Sequence, residues 1–169
     1  MSEHFNLRAL GPDDWEVFRE MRLRALQHHQ GVFGEKYDDA CQRPDEFWSE
    51  TLNGQGKQVF GLFDGQKIIG ITAIFTDRED PSGQTAVLAM SYILPEYRGH
   101  KLSRLLYTAR IDWAKDQPQL TRIVVSHRES NEASRRANQA FGFKYIGSKE
   151  KVWPDGITEN QCLYEMRIK

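Results

Sequence analysis

Cysteine is scarce: Cys41 and Cys162 stand far apart in 169 residues. Two isolated thiols build no disulfide framework, and they point to a reduced, cytoplasmic protein. Charge of one sign is also missing. A formal net charge of −1 excludes the broad basic surface that non-specific nucleic-acid binding requires. No apolar run approaches the roughly 18 residues of a membrane span. The opening stretch MSEHFNLRAL lacks the basic and apolar regions of a secretory signal, so none is expected. Five histidines are scattered, and the adjacent His28 and His29 share no helix face, so no metal site is expected. Repeats, low-complexity tracts and linkers are absent too. What is there, 39% hydrophobic and 28% charged residues, suits one soluble globular domain over residues 1–169.

Residues 5–10 alternate as a short strand. Gly11-Pro12-Asp13-Asp14 then opens a helix with an apolar stripe of Trp15, Phe18, Met21, Ala25 and Leu26. Gly31-Val32-Phe33-Gly34 breaks it, and a second short helix follows Pro44, with Phe47, Trp48 and Leu52 inward. Residues 59–63 and 68–75 form a hairpin at Asp64-Gly65. The polar turn 77–84 leads into a central strand. Residues 121–127 are a further strand, 130–142 a helix, and 144–153 with 161–168 a closing hairpin. The order β-α-α-β-β-β-α-β-α-β-β is a mixed α/β layout with helices on a twisted sheet.

The stretch most suited to chemistry is residues 86–106, AVLAMSYILPEYRGHKLSRLL. Its first half has the composition of a strand buried on both faces. Pro95 ends that strand, having no N–H to donate. Leu102, Leu105, Leu106, Ala109 and Trp113 then recur at helical spacing. The first N–H groups of a helix have no internal partner, and its dipole places positive charge there. With Gly99 in the turn and Arg98, His100, Lys101 and Arg104 around it, an anion cradle for phosphate or pyrophosphate results. A solvated basic rim is the plainer alternative.

Residues 95–106 resemble the acetyl-CoA-binding motif of the GNAT superfamily of N-acetyltransferases, Arg/Gln-x-x-Gly-x-Gly/Ala after a strand ending in Val-x-Pro or similar. Arg98 takes the first position and Ile93-Leu94-Pro95 the strand end. Lys101 replaces the usual glycine and Ser103 the last Gly/Ala. A lysine there is expected to keep an ordinary helical backbone while offering its N–H to pyrophosphate. Asn131, Ser134, Asn138 and Phe141-Gly142-Phe143 resemble the second signature of that family, Asn-x-x-Ala/Ser-x-x-x-Tyr-x-x-x-Gly-Phe, with Asn138 in the tyrosine slot. Asn131 as a plain helix cap and Gly142 as a left-handed helix stop are the local alternatives. The element order along nearly the whole chain is similar as well.

The resemblance implies a mixed, mostly antiparallel central sheet, helices on both faces and a V-shaped splay between the central strands. It implies acetyl-CoA as co-substrate, held by Ile93, Leu94, Arg98, Gly99, His100, Lys101, Leu102, Ser103, Arg104, Asn131, Ser134 and Asn138, with no metal. The reaction implied is direct acetyl transfer in a ternary complex to a primary amine, either a small molecule or a peptide N-terminus. A backbone N–H near Ile93 would hold the thioester oxygen. Asn138 can donate a hydrogen bond but supplies no proton, so Tyr97, Tyr107, Tyr145 or Tyr164 would replace the usual acid. Residues 86–94 contain no carboxylate to act as base. His127 is the candidate instead, weighed against a structural histidine. Glu79 and Asp80 could draw an amine in, although a solvated turn suits them better. Neither cysteine has a motif for an acetyl intermediate.

The acceptor pocket is expected between the segment joining the first two helices and the last hairpin. Phe33, Tyr37, Phe47, Trp48 and Trp153 are candidates for its lining, with core packing preferred for Phe47 and Trp48. Tyr92 would line it or simply pack. The expected partners are amine acceptors, not nucleic acid or membrane, and a homodimer is left open. The alternative function is a CoA-binding sensor or interaction module with little or no turnover. A P-loop nucleotide binder is disfavoured because Gly-x-x-x-x-Gly-Lys-Ser/Thr is missing.

Overall fold

Seven strands and five helices form in the computed structural model, which describes residues 4–169; the first three residues of the stretch expected to carry no secretory signal lie outside it. In chain order the elements are β1 (Phe5–Ala9), α1 (Trp15–His28), α2 (Tyr37–Cys41), α3 (Asp45–Thr51), β2 (Lys57–Asp64), β3 (Lys67–Thr76), β4 (Thr85–Ile93), α4 (Ser103–Lys115), β5 (Arg122–Arg128), α5 (Glu132–Ala140), β6 (Lys144–Val152) and β7 (Thr158–Arg167). All but α2 were expected. Five residues are too few to display a helical period, so YDDAC leaves no signal. No helix among the described residues is long and apolar enough to cross a membrane.

One sheet runs β1-β2-β3-β4-β5-β7-β6. Every neighbouring pair is antiparallel except β4 with β5, which α4 connects. Alternation along β3 divides the core. Ile69, Ile71 and Ala73 pack with Phe18, Met21, Ala25 and Leu26 of α1 and Trp48 of α3. Ile74 joins Leu88, Ile123 and Val125 beneath Tyr107 and Ala114 of α4. Helices therefore cover both faces.

Two expectations along the central stretch are corrected. Leu105 is exposed, and the buried row runs from Leu102, just before α4, through Leu106, Arg110 and Ala114, with Tyr107 beside it. The charge of Arg110 hides this four-residue spacing from an apolar count. Strand β4 is not buried on both faces either. Val87, Ala89, Met90 and Ile93 are half-buried and Ser91 is exposed, because the strand borders a cleft.

That cleft opens where two ladders fail. Pairing of β4 with β5 stops at Val87 and Val124, yet β4 continues to Ile93 and β5 to Arg128. On the β3 side, Ile71 pairs with Tyr92 and Ala73 with Ala89. Thr72 thus faces both Met90 and Ser91, a bulge with Met90 at φ 59°. Bulges bend a strand and increase its twist. Gly70 makes the close approach beyond the bulge feasible, since a Cβ there would lie 2.7 Å from the Tyr92 carbonyl oxygen. Gly70→Ala is therefore expected to destabilise the fold by about 1–3 kcal/mol through overpacking against backbone, measured by urea denaturation.

Candidate active site

The cleft exposes main-chain groups of β4. The Leu94 amide donates to the Ile69 carbonyl at 2.8 Å. The facing Gly70–Ile93 pair is then the non-bonded pair of the antiparallel ladder. Ile93 consequently turns its N–H away from β3, toward the space that β5 has left. Its carbonyl, on the same side, accepts from Arg98 Nε at 2.9 Å. The Arg98 guanidinium also donates to His29 Nε2 at 2.8 Å. Burial first and Arg98 second depress the His29 pKa, which keeps that ring neutral as an acceptor. Arg98 is thus drawn back to the strand end and does not close over the turn.

The turn itself carries two left-handed residues, Gly99 at φ 84° and Lys101 at φ 60°. The expectation of an ordinary helical backbone at Lys101 is corrected: the turn requires the glycine-like conformation there, and lysine adopts it at a cost of about 1–2 kcal/mol. A Cβ on Gly99 would meet nothing within 4 Å, so its requirement is conformational only. The amides of residues 99–103 donate to no backbone carbonyl among the described residues. Leu102 is buried and anchors the turn, while His100, Lys101, Ser103 and Arg104 are exposed. None of the ion pairs among the described residues engages the three basic ones. Free backbone donors beside exposed basic side chains are groups that can hold an anion.

Two continuous cavities lead inward from this turn. One, of about 630 Å³, lies between the start of α4 and α5 and is lined by Ser103, Leu106, Asn131, Ala133, Ser134 and Ala137 beside Ile93 and Arg98. The other, of about 370 Å³, fills the gap between residues 87–91 and 125–127. Ser91, Tyr107, Arg110, Asn131 and Ser134 border both. Asn131 does cap α5, its Oδ1 accepting from the Ser134 amide at 3.2 Å. Asn138, 1% exposed, accepts from the Tyr107 hydroxyl at 2.6 Å. Its Nδ2 is buried without an acceptor, a cost of about 1–3 kcal/mol that a bound acceptor atom would remove. Tyr107 is fixed by stacking on Phe141, with centroids 4.3 Å apart, and burial raises its hydroxyl pKa.

A family model described as Acetyltransferase (GNAT) family matches residues 16–143, more than half of the chain. The chain belongs to the GNAT family. A curated relative, the phosphinothricin N-acetyltransferase of Streptomyces coelicolor, is 30% identical over 89 residues, covering 53% of this chain and 52% of the relative. The matched part thus spans about half the length of each. A GNAT acetyltransferase from Streptococcus pneumoniae has a similar structure, with a TM-score of 0.84, 21% identity and coverage of 97% of this chain and 99% of that one. The Salmonella typhimurium protein yncA, solved with its cofactor acetyl-CoA, gives a TM-score of 0.81 at 19% identity, covering 99% and 95% of the two chains.

In this GNAT chain the expected acceptor walls close on the second cavity. Arg22, Val32, Phe33 and Gly34 line it from α1 and the following loop, Lys151 and Trp153 from the last hairpin. Tyr37 lies in a separate recess with Pro154 and Asp155. Phe47 and Trp48 pack into the core. Glu79 and Asp80 line neither cavity. Tyr97 donates to Asp64 at 2.9 Å, and Tyr145 is exposed. His127, weighed as a base against a structural histidine, has partners at both ring nitrogens. Its Nδ1 lies 2.7 Å from the Arg128 carbonyl, so it donates there, and its Nε2 accepts from the Tyr164 hydroxyl at 3.0 Å.

Arg128 is the wall residue that the sequence did not disclose. It donates to Glu159 at 2.7 Å, Asp155 at 2.7 Å and the Gly31 carbonyl at 2.8 Å, tying β5, the hairpin and the loop after α1 together. The only available signal was a basic residue ending a strand opposite two acids. Arg128 holds the Asp155 carboxyl below its ordinary 3.8, and Ser130 with Arg128 holds Glu159 below its ordinary 4.5. Depressed folded-state values stabilise the hairpin above the ordinary range, and this contribution is lost as pH falls through the folded values. Acid titration followed by Trp153 fluorescence is expected to report loosening of the hairpin only as pH falls below the ordinary values of 4.5 and 3.8.

Proposed function

We propose that the chain transfers an acetyl group from acetyl-CoA to a primary amine by direct attack in a ternary complex. The single observation carrying this is the continuous path from unpaired amides at residues 99–103 to the outward-facing N–H of Ile93. The residues suit the co-substrate. The Gly99–Ser103 amides with His100, Lys101 and Arg104 would take its diphosphate, and the β4 edge from Leu88 to Leu94 would pair its extended arm like a strand. Asn131 and Ser134 border that arm from α5. When bound, acetyl-CoA supplies the activated thioester.

The chain's own groups then account for the transfer. The Ile93 N–H is available to stabilise a developing oxyanion. Asn138 Nδ2 offers a hydrogen bond at the sulfur end, and the Tyr107 hydroxyl, beside the family's tyrosine slot, would turn from Asn138 Oδ1 to give the departing thiolate its proton, regaining one from solvent as the attacking nitrogen sheds its own. No carboxylate borders either cavity, and nearby cations depress an amine's pKa, which yields the neutral nucleophile without a dedicated base. Cys41 and Cys162 border neither cavity, and burial pushes the Cys162 thiol up, so no acetyl-cysteine step enters. Two free thiols suit a cytoplasmic setting. The names of similar proteins include both a small-molecule acceptor, phosphinothricin, and ribosomal proteins, L7/L12 and S5.

Thiol release from acetyl-CoA across an amine panel is the decisive test. Release with at least one amine is expected; binding without release on every amine would leave the sensor alternative. Gly99→Asp is expected to weaken acetyl-CoA binding at least tenfold by calorimetry, because an anion then faces the diphosphate.

Tyr107→Phe is expected to lower kcat about 100-fold with the acetyl-CoA KM within threefold, measured well below its lowered Tm. His127→Ala is expected to keep the alkaline rise of the pH–rate profile. Loss of that rise would return the base role to His127.

A further inference from the structure

The fold neutralises one buried arginine near the site and leaves another without a counter-ion. Arg128 has two carboxylates. Arg110, 2% exposed on α4, has none: its Nε donates to the Leu106 carbonyl at 3.0 Å, and its guanidinium carbon lies 4.9 Å from the Tyr107 ring centroid. Burial pulls it down to about 10, with only Tyr107 opposing. A guanidinium held away from water without an anion is unfavourable. Arg22 follows the pattern only in part, since Glu35 is its counter-ion. It is 7% exposed, reaches Glu35 only at 3.5 Å through Nη2, and leaves Nη1 buried without a partner. Both arginines line the second cavity, with Lys151 at its hairpin wall, and no Asp or Glu lines it.

The cradle for diphosphate does not account for this charge. Arg110 is seven residues beyond Ser103, about 10 Å along the helix at 1.5 Å per residue. It stands at the inner end of the path, where the acceptor must enter.

We infer that the acceptor is an amine bearing its own carboxylate, of the α-amino-acid type, whose anion is bound by Arg110 and Arg22 while its amino group faces the splay. This rests on the acetyl-transfer reading of the site. The parallel N–H donors of a guanidinium match a carboxylate bidentately. The same cavity repels polyamines and lysine-rich peptides, which bring added positive charge to a lining that holds no carboxylate.

The test uses the intact protein in two arms. In the first, thiol release is compared for free amino acids, their α-carboxamides and the corresponding decarboxylated amines, such as leucine, leucinamide and 3-methylbutylamine. The free acids are expected to exceed both neutralised series by at least 100-fold in kcat/KM, and Arg110→Gln is expected to remove the difference. In the second, calorimetry of the CoA-loaded protein compares N-acetyl amino acids with N-acetyl amino amides, with no turnover needed. Tighter binding of the acids sustains the carboxylate site even where no thiol is released, in which case acetyl transfer alone falls. Equal binding and equal turnover of acids and amides overturn the carboxylate site and leave acetyl transfer standing. Both wild-type comparisons stand if Arg110→Gln does not fold.

Discussion

Everything functional in this protein depends on a hydrogen-bond ladder that stops. Two parallel strands share three register pairs, Thr85–Arg122, Ala86–Ile123 and Val87–Val124, and then diverge. An unpaired edge inside a domain is ordinarily a liability, since its N–H and C=O groups seek partners. Here the opposite edge of β4 stays paired with β3 through the bulge at Met90, so the strand remains fixed while its other edge is free. The result is a rigid row of donors and acceptors of strand spacing, open to an extended ligand.

Around this opening, the chain distributes charge unevenly. Two carboxylates of the hairpin, Asp155 and Glu159, engage Arg128, which fastens three segments. The cavity beside them is lined by Arg110, which has no carboxylate partner, and by Arg22, whose partner Glu35 stands outside the lining. Removing water from such charges strengthens their pull on an anion, because the local dielectric is low. Architecture and electrostatics are thus separable: one arginine builds the wall, and two others give the enclosed space its sign.

Much of the fold was legible because its signals are local. Asp64-Gly65 marks a hairpin, Pro95 ends a strand, and Asn131 with Gly142 brackets a helix. The site was legible in its main-chain parts for the same reason, through Gly99 and the strand before it. What escaped were side chains whose roles depend on distant partners. Arg110 drew no reading, because nothing in sequence reveals that its helix row is buried. Tyr107 was one of four tyrosines until α4 and α5 brought it against Asn138. His127 stayed open between base and structural histidine because its partner Tyr164, 37 positions away, sits on another strand. Lys101 was assigned a helical backbone from its residue type, whereas the turn's path decides the conformation.

That turn has a thermodynamic consequence for recognition. Its left-handed lysine is held by the fold itself, with Leu102 seated in the core on one side and the strand end fixed on the other. The distortion is therefore settled during folding and is not charged against capture of a diphosphate. A loop arranged beforehand loses little entropy when its guest arrives, so affinity there reflects the donors almost undiminished.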